Sequence, residues 1–456
     1  MAAEGARHAW AIVATALVVW VLMLWGATRI PPMQSPDEHS HIARAYLLCQ
    51  GQWTLFTPLG QSSGGLVDRQ LAELMDRHLP LVTDASARLS DNDMVALGEL
   101  HWSGEEIFLP IPGTGYYLPL IYSPQALGLC LGRALKLPVL ESYQLARGAA
   151  VTTVVLLLAV AAWVYAPGPI TLLVLCLPMS LFQALSPTVD GVSHALTLLV
   201  AALFVRLFQR DFPASAWLKT GWVVAMVVLA GSRPQLLPIF LLAGAAAWRR
   251  RDGLLAAAGA LGLAAVLGWY VWAAGHVVDM RLTRSGGLGA AAGHYAAHPQ
   301  ELLRVVRATL GDAELQLFYG RSFVGILGWL DTMLPLWAYP ALAAALGGTA
   351  LFSALRGGVG PAAVWLWAVA LAAVPLVLLS LLVGWTPLPA TRIEGVQGRY
   401  FIAPALLAAM ALASPATVCS HAAWRRLAGV GAVVTATVGI AVALVAFAQT
   451  LAQRYH

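Results

Sequence analysis

Long apolar runs, separated by short polar stretches, dominate the chain. A helix needs about 20 apolar residues to cross the hydrocarbon core of a bilayer, and about eleven runs approach this length. They lie near residues 9–27, 146–166, 169–187, 190–208, 216–231, 234–249, 254–275, 335–355, 362–384, 399–414 and 428–449. The pattern predicts an all-α polytopic membrane protein in which residues 1–456 form a single integral membrane domain.

The composition supports this class of protein. Hydrophobic residues make up 59% of the chain and charged residues 11%, whereas soluble domains carry about 25% charged residues. No basic run typical of nucleic-acid binding occurs, so no nucleic-acid partner is expected. The four cysteines show neither metal-site spacing nor a pattern that indicates a disulfide framework.

The distribution of basic residues predicts the orientation, because positive charges favour cytoplasmic loops. Five basic groups fall on one side if the amino terminus lies inside and the apolar segment 116–135, broken by two prolines, does not cross. The groups are Arg7, residues 206–219, residues 249–251, Arg356 and residues 425–426. We therefore expect 116–135 to be a juxtamembrane or re-entrant helix and the carboxyl terminus to lie outside.

Two long loops then lie on the outer side, at residues 28–115 and 276–334. The first loop holds eleven of the 22 acidic residues of the chain but only five arginines. Loops of this length are usually functional. Each polar motif whose side chains could catalyse a reaction or bind a ligand falls on the same outer side.

The first motif is the acidic stretch 36–41, just after the first run. Asp37 and Glu38 could act as a general base or, together with His39, hold a divalent cation such as Mg²⁺ or Mn²⁺. A simpler alternative is that Asp37 only caps the helix that follows. Residues 42–48 are predicted to form an amphipathic helix along the membrane interface.

The second motif is residues 394–401, at the outer mouth of an apolar run. Glycines flank Gln397 and would let the backbone approach a ligand closely. Arg399 lies at a helix amino terminus, where a cation is disfavoured unless an anion is also bound. A phosphate is the natural anion, and an arginine that only reaches for the membrane surface is the alternative.

Further candidates for binding a substrate or its phosphate occur at the same predicted face. Asp190 opens an apolar run and could merely cap it, and Arg233 is either a second phosphate contact or a headgroup anchor. Asp331 follows Trp329 ahead of another run and could also merely cap it. The remaining candidates are Arg44, Tyr122 and Tyr400. Tyrosine rings can stack on sugars or isoprenoid chains, and an aromatic belt at the membrane interface is the equally expected alternative. No nucleophile-elbow, zinc-protease, phosphate-loop or dinucleotide motif occurs in a plausible context.

Five motifs resemble those of a family of bacterial inner-membrane proteins known as domain of unknown function 2142. They lie, in order, at residues 36–46, 117–128, 186–191, 325–335 and 394–404. That family in turn looks like the GT-C superfamily of glycosyltransferases. The resemblance implies a helical bundle of about 11–12 transmembrane helices whose long first extracytoplasmic loop carries juxtamembrane helices.

The resemblance also implies an activity, namely transfer of a sugar from a polyprenyl-phosphate donor to a glycan or lipid acceptor outside the inner membrane. Asp37 and Glu38 match the acidic motif of such enzymes, and residues 122–124 loosely match a proline-rich motif. His39 departs from the small residue that often follows the acidic pair, which leaves metal binding open. The alternatives are a transporter or flippase of a lipid-linked or anionic substrate, or a non-catalytic partner in polysaccharide assembly.

Overall fold

The computed structural model describes residues 2–84, 86–281, 287–356, 360–413 and 422–455. Cys419 and the side chains of residues 2–8, including Arg7, lie outside the description. The helices of the first half are α1 (Ala2–Ala27), α2 (Glu38–Cys49), α3 (Arg69–Thr83), α4 (Asp91–Gly98), α5 (Ser123–Ala134), α6 (Val139–Val164), α7 (Pro169–Leu175), α8 (Pro178–Leu185) and α9 (Asp190–Leu207). Those of the second half are α10 (Ala216–Ser232), α11 (Phe240–Arg250), α12 (Gly253–His276), α13 (Gly287–Ala297), α14 (Pro299–Leu310), α15 (Ala313–Gly325), α16 (Ala338–Arg356), α17 (Pro361–Gly384), α18 (Ile402–Ala413) and α19 (Ala422–Tyr455).

Little other regular structure accompanies the helices. Strands β1 (Gly64–Asp68) and β2 (Glu106–Pro110) pair antiparallel, as do the two-residue strands β3 (Ile326–Leu327) and β4 (Thr332–Met333). Short 3₁₀ helices cover Pro112–Thr114, Pro119–Tyr122, Pro234–Ile239 and Gly398–Phe401. The chain is therefore an all-α polytopic membrane protein, as predicted.

Each of the eleven apolar runs is helical where it is described, but not every run is one unbroken span. Within the described ranges, seven helices are long and apolar enough to cross a membrane: α1, α6, α9, α12, α16, α17 and α19. The helices α10 and α18 are apolar but shorter. The run 169–187 breaks before Pro178, and the run 234–249 begins as a 3₁₀ helix containing Pro238, because proline cannot donate the backbone hydrogen bond that an uninterrupted α-helix requires.

The loops expected to lie outside meet at one end of the bundle, which we call the loop end. Ser63 N donates to Val278 O over 2.8 Å, which joins the first loop to the segment after α12. Trp329 Nε1 donates to Met33 O over 3.0 Å, which joins the first loop to the turn between β3 and β4. The carboxyl-terminal helix reaches the same end, because Arg454 donates to Leu81 O.

Basic residues collect at the opposite end, which we call the arginine end. Arg206 Nε donates to Val164 O over 2.7 Å, and Arg250 donates to the backbone after α9. Lys219 pairs with Asp252 at 2.7 Å. Two of the groups that charge bias assigned to one membrane face, residues 206–219 and 249–251, are thus neighbours in space.

The α-helix in the segment 116–135 is shorter than each of the seven long apolar helices. This helix, α5, has 12 residues, about 18 Å against a hydrocarbon core of about 30 Å. It runs antiparallel to the start of α6, so closely that a Cβ on Gly128 would lie 2.4 Å from Ala146 Cα. The geometry agrees with a juxtamembrane helix.

Two expectations about the first loop are wrong. The helix α2 is not an interfacial helix with one polar face, because its residues from His41 to Leu47 are all buried. The strand β1, the helix α5 and the 3₁₀ helices Pro112–Thr114 and Pro119–Tyr122 pack against it. A disulfide also joins Cys49 at the end of α2 to Cys130 in α5, which the sequence did not indicate since 81 residues separate the two cysteines.

Candidate functional site

Asp37 lies at the loop end, directly before α2, with its side chain 57% exposed. Its backbone adopts the left-handed conformation, with φ of 62°, and its side chain accepts no capping hydrogen bond. Aspartate is one of the few residues that tolerate this conformation. Asp37 therefore does not cap α2 through its side chain, and its carboxylate faces outward.

Arg399 reaches Asp37 from the 3₁₀ helix ahead of α18. Its Nη2 lies 3.3 Å from Asp37 Oδ2, although the arginine side chain is only 3% exposed. Its Nη1 lies 3.7 Å from Asp190 Oδ2. The expected proximity of Asp37 and Arg399 at this end of the bundle is therefore observed.

A second ion pair supports the first. Asp190, at the start of α9, pairs with Arg233, which follows α10, and both side chains are buried. Asp190 makes no cap bond, because Val189 occupies the N-cap position. The Arg233 guanidinium also lies over the ring of Tyr117, 5.5 Å from its centre. These two arginines and two aspartates balance in charge.

Arg399 nevertheless has hydrogen-bond donors that no protein acceptor satisfies. Its Nε and Nη1 are buried and have no hydrogen-bond partner, since the 3.7 Å contact to Asp190 is too long for a hydrogen bond. The Tyr400 ring lies 5.2 Å from the guanidinium carbon. Buried donors left without a partner cost about 1–3 kcal/mol, so this site favours an added anion.

Two further side chains from the quoted motifs, His41 and Tyr117, line the site. His41 shares a hydrogen bond of 2.9 Å with Tyr122 and stacks on Tyr117. Burial lowers the pKa of His41 to about 4 and raises the pKa of Tyr117 to about 12, so both are neutral at pH 7. His194 also lies near, one helical turn after Asp190 and 6% exposed.

Glu38 is turned away from the site and holds its backbone in place. Its Oε1 accepts from Met33 N at 2.8 Å and from the Tyr143 hydroxyl, and its Oε2 accepts from Ser35 N at 3.0 Å. Arg147, beside it, donates to three backbone carbonyls of the same turn, those of Ala27, Ile30 and Pro31. This buried network fixes the turn that presents Asp37.

Arg44 and Asp331 do not join the Asp37–Arg399 pair. Arg44 is fully buried and donates to the carbonyls of Gln52 and Trp53, at 3.2 and 2.6 Å. Asp331 lies in the turn between β3 and β4 and pairs with Arg454 at 3.6 Å. Both hold parts of the loop end together.

The two glycines beside Gln397 serve packing, so the expectation that they open the backbone to a ligand is wrong. A Cβ on Gly395 would lie 2.5 Å from the Trp385 ring, and one on Gly398 would lie 2.1 Å from Phe323 N. An indole and the backbone of α15 occupy the space that a ligand would need.

The tentative metal ligands do not converge. Both oxygens of Glu38 are used by the protein, and the His39 ring stacks on Trp329 with centres 5.4 Å apart. Within the described ranges, no group of three or more His, Cys, Asp or Glu side chains is arranged to hold a metal ion. This donor set does not fit a cation, and we assign it no step.

No curated protein and no solved structure shows a significant match to this chain. A family model does match, and it covers residues 18–409, a stretch that contains the motifs around Asp37, Asp190 and Arg399. The chain therefore belongs to the family described as predicted membrane protein, DUF2142.

Proposed function

We propose that this protein is a membrane glycosyltransferase that moves a sugar from a polyprenyl-phosphate donor to a hydroxyl of an envelope glycan or lipid. One observation carries the proposal: exposed Asp37 lies against buried Arg399, which retains two donors without partners. Displacement of a phosphate by an alcohol needs a base for the alcohol and a cation for the phosphate. Asp37 would supply the base and Arg399 the cation, and their side chains are in contact.

The reaction would take place on the extracytoplasmic side of a bacterial inner membrane. Basic residues collect at the arginine end, and such residues favour the cytoplasm. The loop end carries the Cys49–Cys130 disulfide, and disulfides persist in oxidising compartments. Both features favour a site that opens away from the cytoplasm.

Labelling in spheroplasts tests this orientation. In a background with Cys176→Ser and Cys419→Ser, a membrane-impermeant maleimide should label Leu59→Cys, because Leu59 is fully exposed at the loop end. It should label Trp424→Cys, at the arginine end, only after permeabilisation. The opposite pattern would rule out an extracytoplasmic site.

Arg399 would hold the leaving phosphate. Its Nε and Nη1 have no hydrogen-bond partner, and each can donate to a phosphate oxygen from a different edge of the guanidinium group. Arg233 adds a second buried cation, compensated by Asp190. Buried charges interact strongly, so both would stabilise charge that develops on the phosphate, and loss of one such donor typically costs about 3 kcal/mol in the transition state.

Asp37 would act as the general base. The acceptor oxygen bonds to the anomeric carbon while the bond from that carbon to the phosphate oxygen breaks, and its electron pair remains on the phosphate. The hydroxyl proton passes to the Asp37 carboxylate, from which it can leave to solvent because this side chain is 57% exposed. A single displacement of this kind inverts the anomeric configuration.

The test uses the purified full chain in liposomes with undecaprenyl phosphate linked to radiolabelled sugars. Lipid and glycan extracts from the host envelope serve as acceptors. Asp37→Asn should lower transfer by about 100-fold or more, and Arg399→Gln should also weaken binding of undecaprenyl phosphate. Asp331→Asn, whose contact is with Arg454, is the matched control and should keep its activity.

Full transfer by Asp37→Asn would eliminate this mechanism. Saturable movement of the labelled lipid across the liposome bilayer, without any glycosylated product, would instead establish a transporter.

A further inference from the structure

A cavity of about 560 Å³ lies beside the candidate site. It opens between the helix α15 and residues 391–397, with Leu330 as a further wall. Gln397 belongs to its lining, and Arg399 follows two residues later. The volume falls within the usual range for small-molecule pockets. The donor phosphate would be held at Arg399, so this neighbouring space lies within reach of a sugar ring that takes part in the transfer.

The walls combine flat aromatic surfaces with hydrogen-bonding groups. Phe318 and Tyr319 supply two rings, and the rim residues Thr391 and Glu394 are exposed to solvent. The Oε1 atom of Gln397 is buried and has no hydrogen-bond donor near it. A buried amide oxygen without a donor is unfavourable, so the cavity calls for a ligand that carries O–H or N–H groups.

We propose that this cavity binds a hydroxyl-bearing sugar ring of a substrate, an inference that rests on the proposed glycosyl transfer. A pyranose ring has an apolar C–H face that can pack on an aromatic ring and hydroxyls for Gln397 and Glu394. The polyprenyl chain of the donor has no hydrogen to donate to the amide oxygen, and neither has an ionised phosphate. The unsatisfied oxygen therefore distinguishes a sugar ring from the polyprenyl chain and from the phosphate.

Binding can be measured without any glycosyl transfer. The full chain is placed in nanodiscs of phosphatidylcholine and phosphatidylglycerol, and methyl glycosides of glucose, galactose, mannose, rhamnose and N-acetylglucosamine serve as probes. Saturation-transfer NMR should detect binding of at least one of them. Gln397→Leu should weaken it by about fivefold, the loss of one hydrogen bond.

Two tryptophan substitutions show whether the signal comes from the cavity. Thr391→Trp, at the exposed rim, should block the opening and abolish binding. Leu317→Trp is the matched control, because Leu317 lies on the same helix as the aromatic walls but is 53% exposed and outside the lining. Equal binding by the wild type and Thr391→Trp, or displacement of the sugars by decanol, would overturn the inference.

Asp37→Asn separates this inference from the proposed function. It should bind the glycosides as the wild type does and fail to transfer sugar. Normal transfer by Asp37→Asn, with normal glycoside binding, would overturn the mechanism and leave the sugar subsite standing. A third outcome would overturn the sugar subsite alone. In that outcome Asp37→Asn loses transfer, but every glycoside binds equally to the wild type and to Thr391→Trp.

Discussion

Asp37 and Arg399 are 362 residues apart in the chain, and their side chains lie 3.3 Å apart. The first belongs to the turn before α2 and the second to the 3₁₀ helix before α18. Neither element contacts the other through a long packed surface, so this ion pair exists only when the two halves of the bundle have assembled. The site thereby depends on the complete fold.

Adjacent residues Asp37 and Glu38 should respond to substitution in opposite ways. Asp37→Asn should change the free energy of unfolding by at most about 1 kcal/mol, because the side chain is largely exposed and asparagine tolerates the same backbone. Glu38→Gln should cost about 3 kcal/mol, since its carboxylate is fully buried and accepts from two backbone amides. Thermal unfolding of the purified variants measures both.

A matched comparison excludes a general effect of losing a carboxylate. Glu73→Gln removes an exposed acid of the same loop, paired with Arg77 on the surface, and should leave stability nearly unchanged. Equal destabilisation by Asp37→Asn and Glu38→Gln would contradict these roles, in which Asp37 belongs to the candidate site and Glu38 stabilises the turn before it.

Removal of one partner from the buried Asp190–Arg233 pair should be more harmful than removal of both. Asp190→Ala leaves two buried guanidinium groups without their shared anion, which should cost about 3–5 kcal/mol. Adding Arg233→Met should recover part of that loss. Thermal unfolding of the two single variants and the double variant completes the cycle, and additive losses would contradict the coupling.

The bundle was predictable from sequence because apolar runs and basic loops report directly on the bilayer. The pairing of Asp37 with Arg399 was anticipated because Asp37 follows one predicted span, Arg399 begins another, and both positions lie on the predicted outer side. The burial of α2 under other elements was not anticipated, since the local periodicity of residues 42–48 does not reveal that β1 and α5 will pack over this helix. The side chains that cover a surface come from elsewhere in the chain.

Individual roles within the site were harder to predict for the same reason. Asp37 and Glu38 are neighbours in sequence, but the left-handed backbone at Asp37 sends one carboxylate outward while the other accepts from the preceding turn. Gly395 and Gly398 pointed to a ligand because glycine signals close approach. What approaches them is Trp385 and α15, and glycine alone does not identify its neighbour.

The Cys49–Cys130 disulfide should stabilise the loop end. It closes a loop of about 80 residues between α2 and α5, and native disulfides contribute about 2–4 kcal/mol. Cys49→Ser with Cys130→Ser should lower the thermal midpoint, and reductant should then have little further effect. In the background with Cys176→Ser and Cys419→Ser, maleimide labelling of the denatured chain should detect these two thiols only after reduction, and labelling without reductant would contradict the bond.

The stability of the site should depend on pH through His41. Burial dominates its environment and lowers its pKa from 6.5 to about 4, with Arg233 and Arg399 acting in the same direction and Asp37 and Asp190 opposing it. The unfolded chain therefore takes up this proton more readily than the folded chain. The contribution is complete above pH 6.5, falls as the pH drops towards 4, and amounts to about 3 kcal/mol at most.

Substitution of His41 isolates its part of this pH dependence. His41→Asn removes the titrating group, so the midpoint of unfolding should fall less steeply between pH 6.5 and 4 than in the wild type. His101→Asn, at an exposed position in the same loop, should leave the slope unchanged. Because other buried histidines remain, a reduced slope is expected rather than a flat profile. Identical slopes for the wild type and His41→Asn would mean that His41 takes up its proton equally well in the folded and unfolded chains.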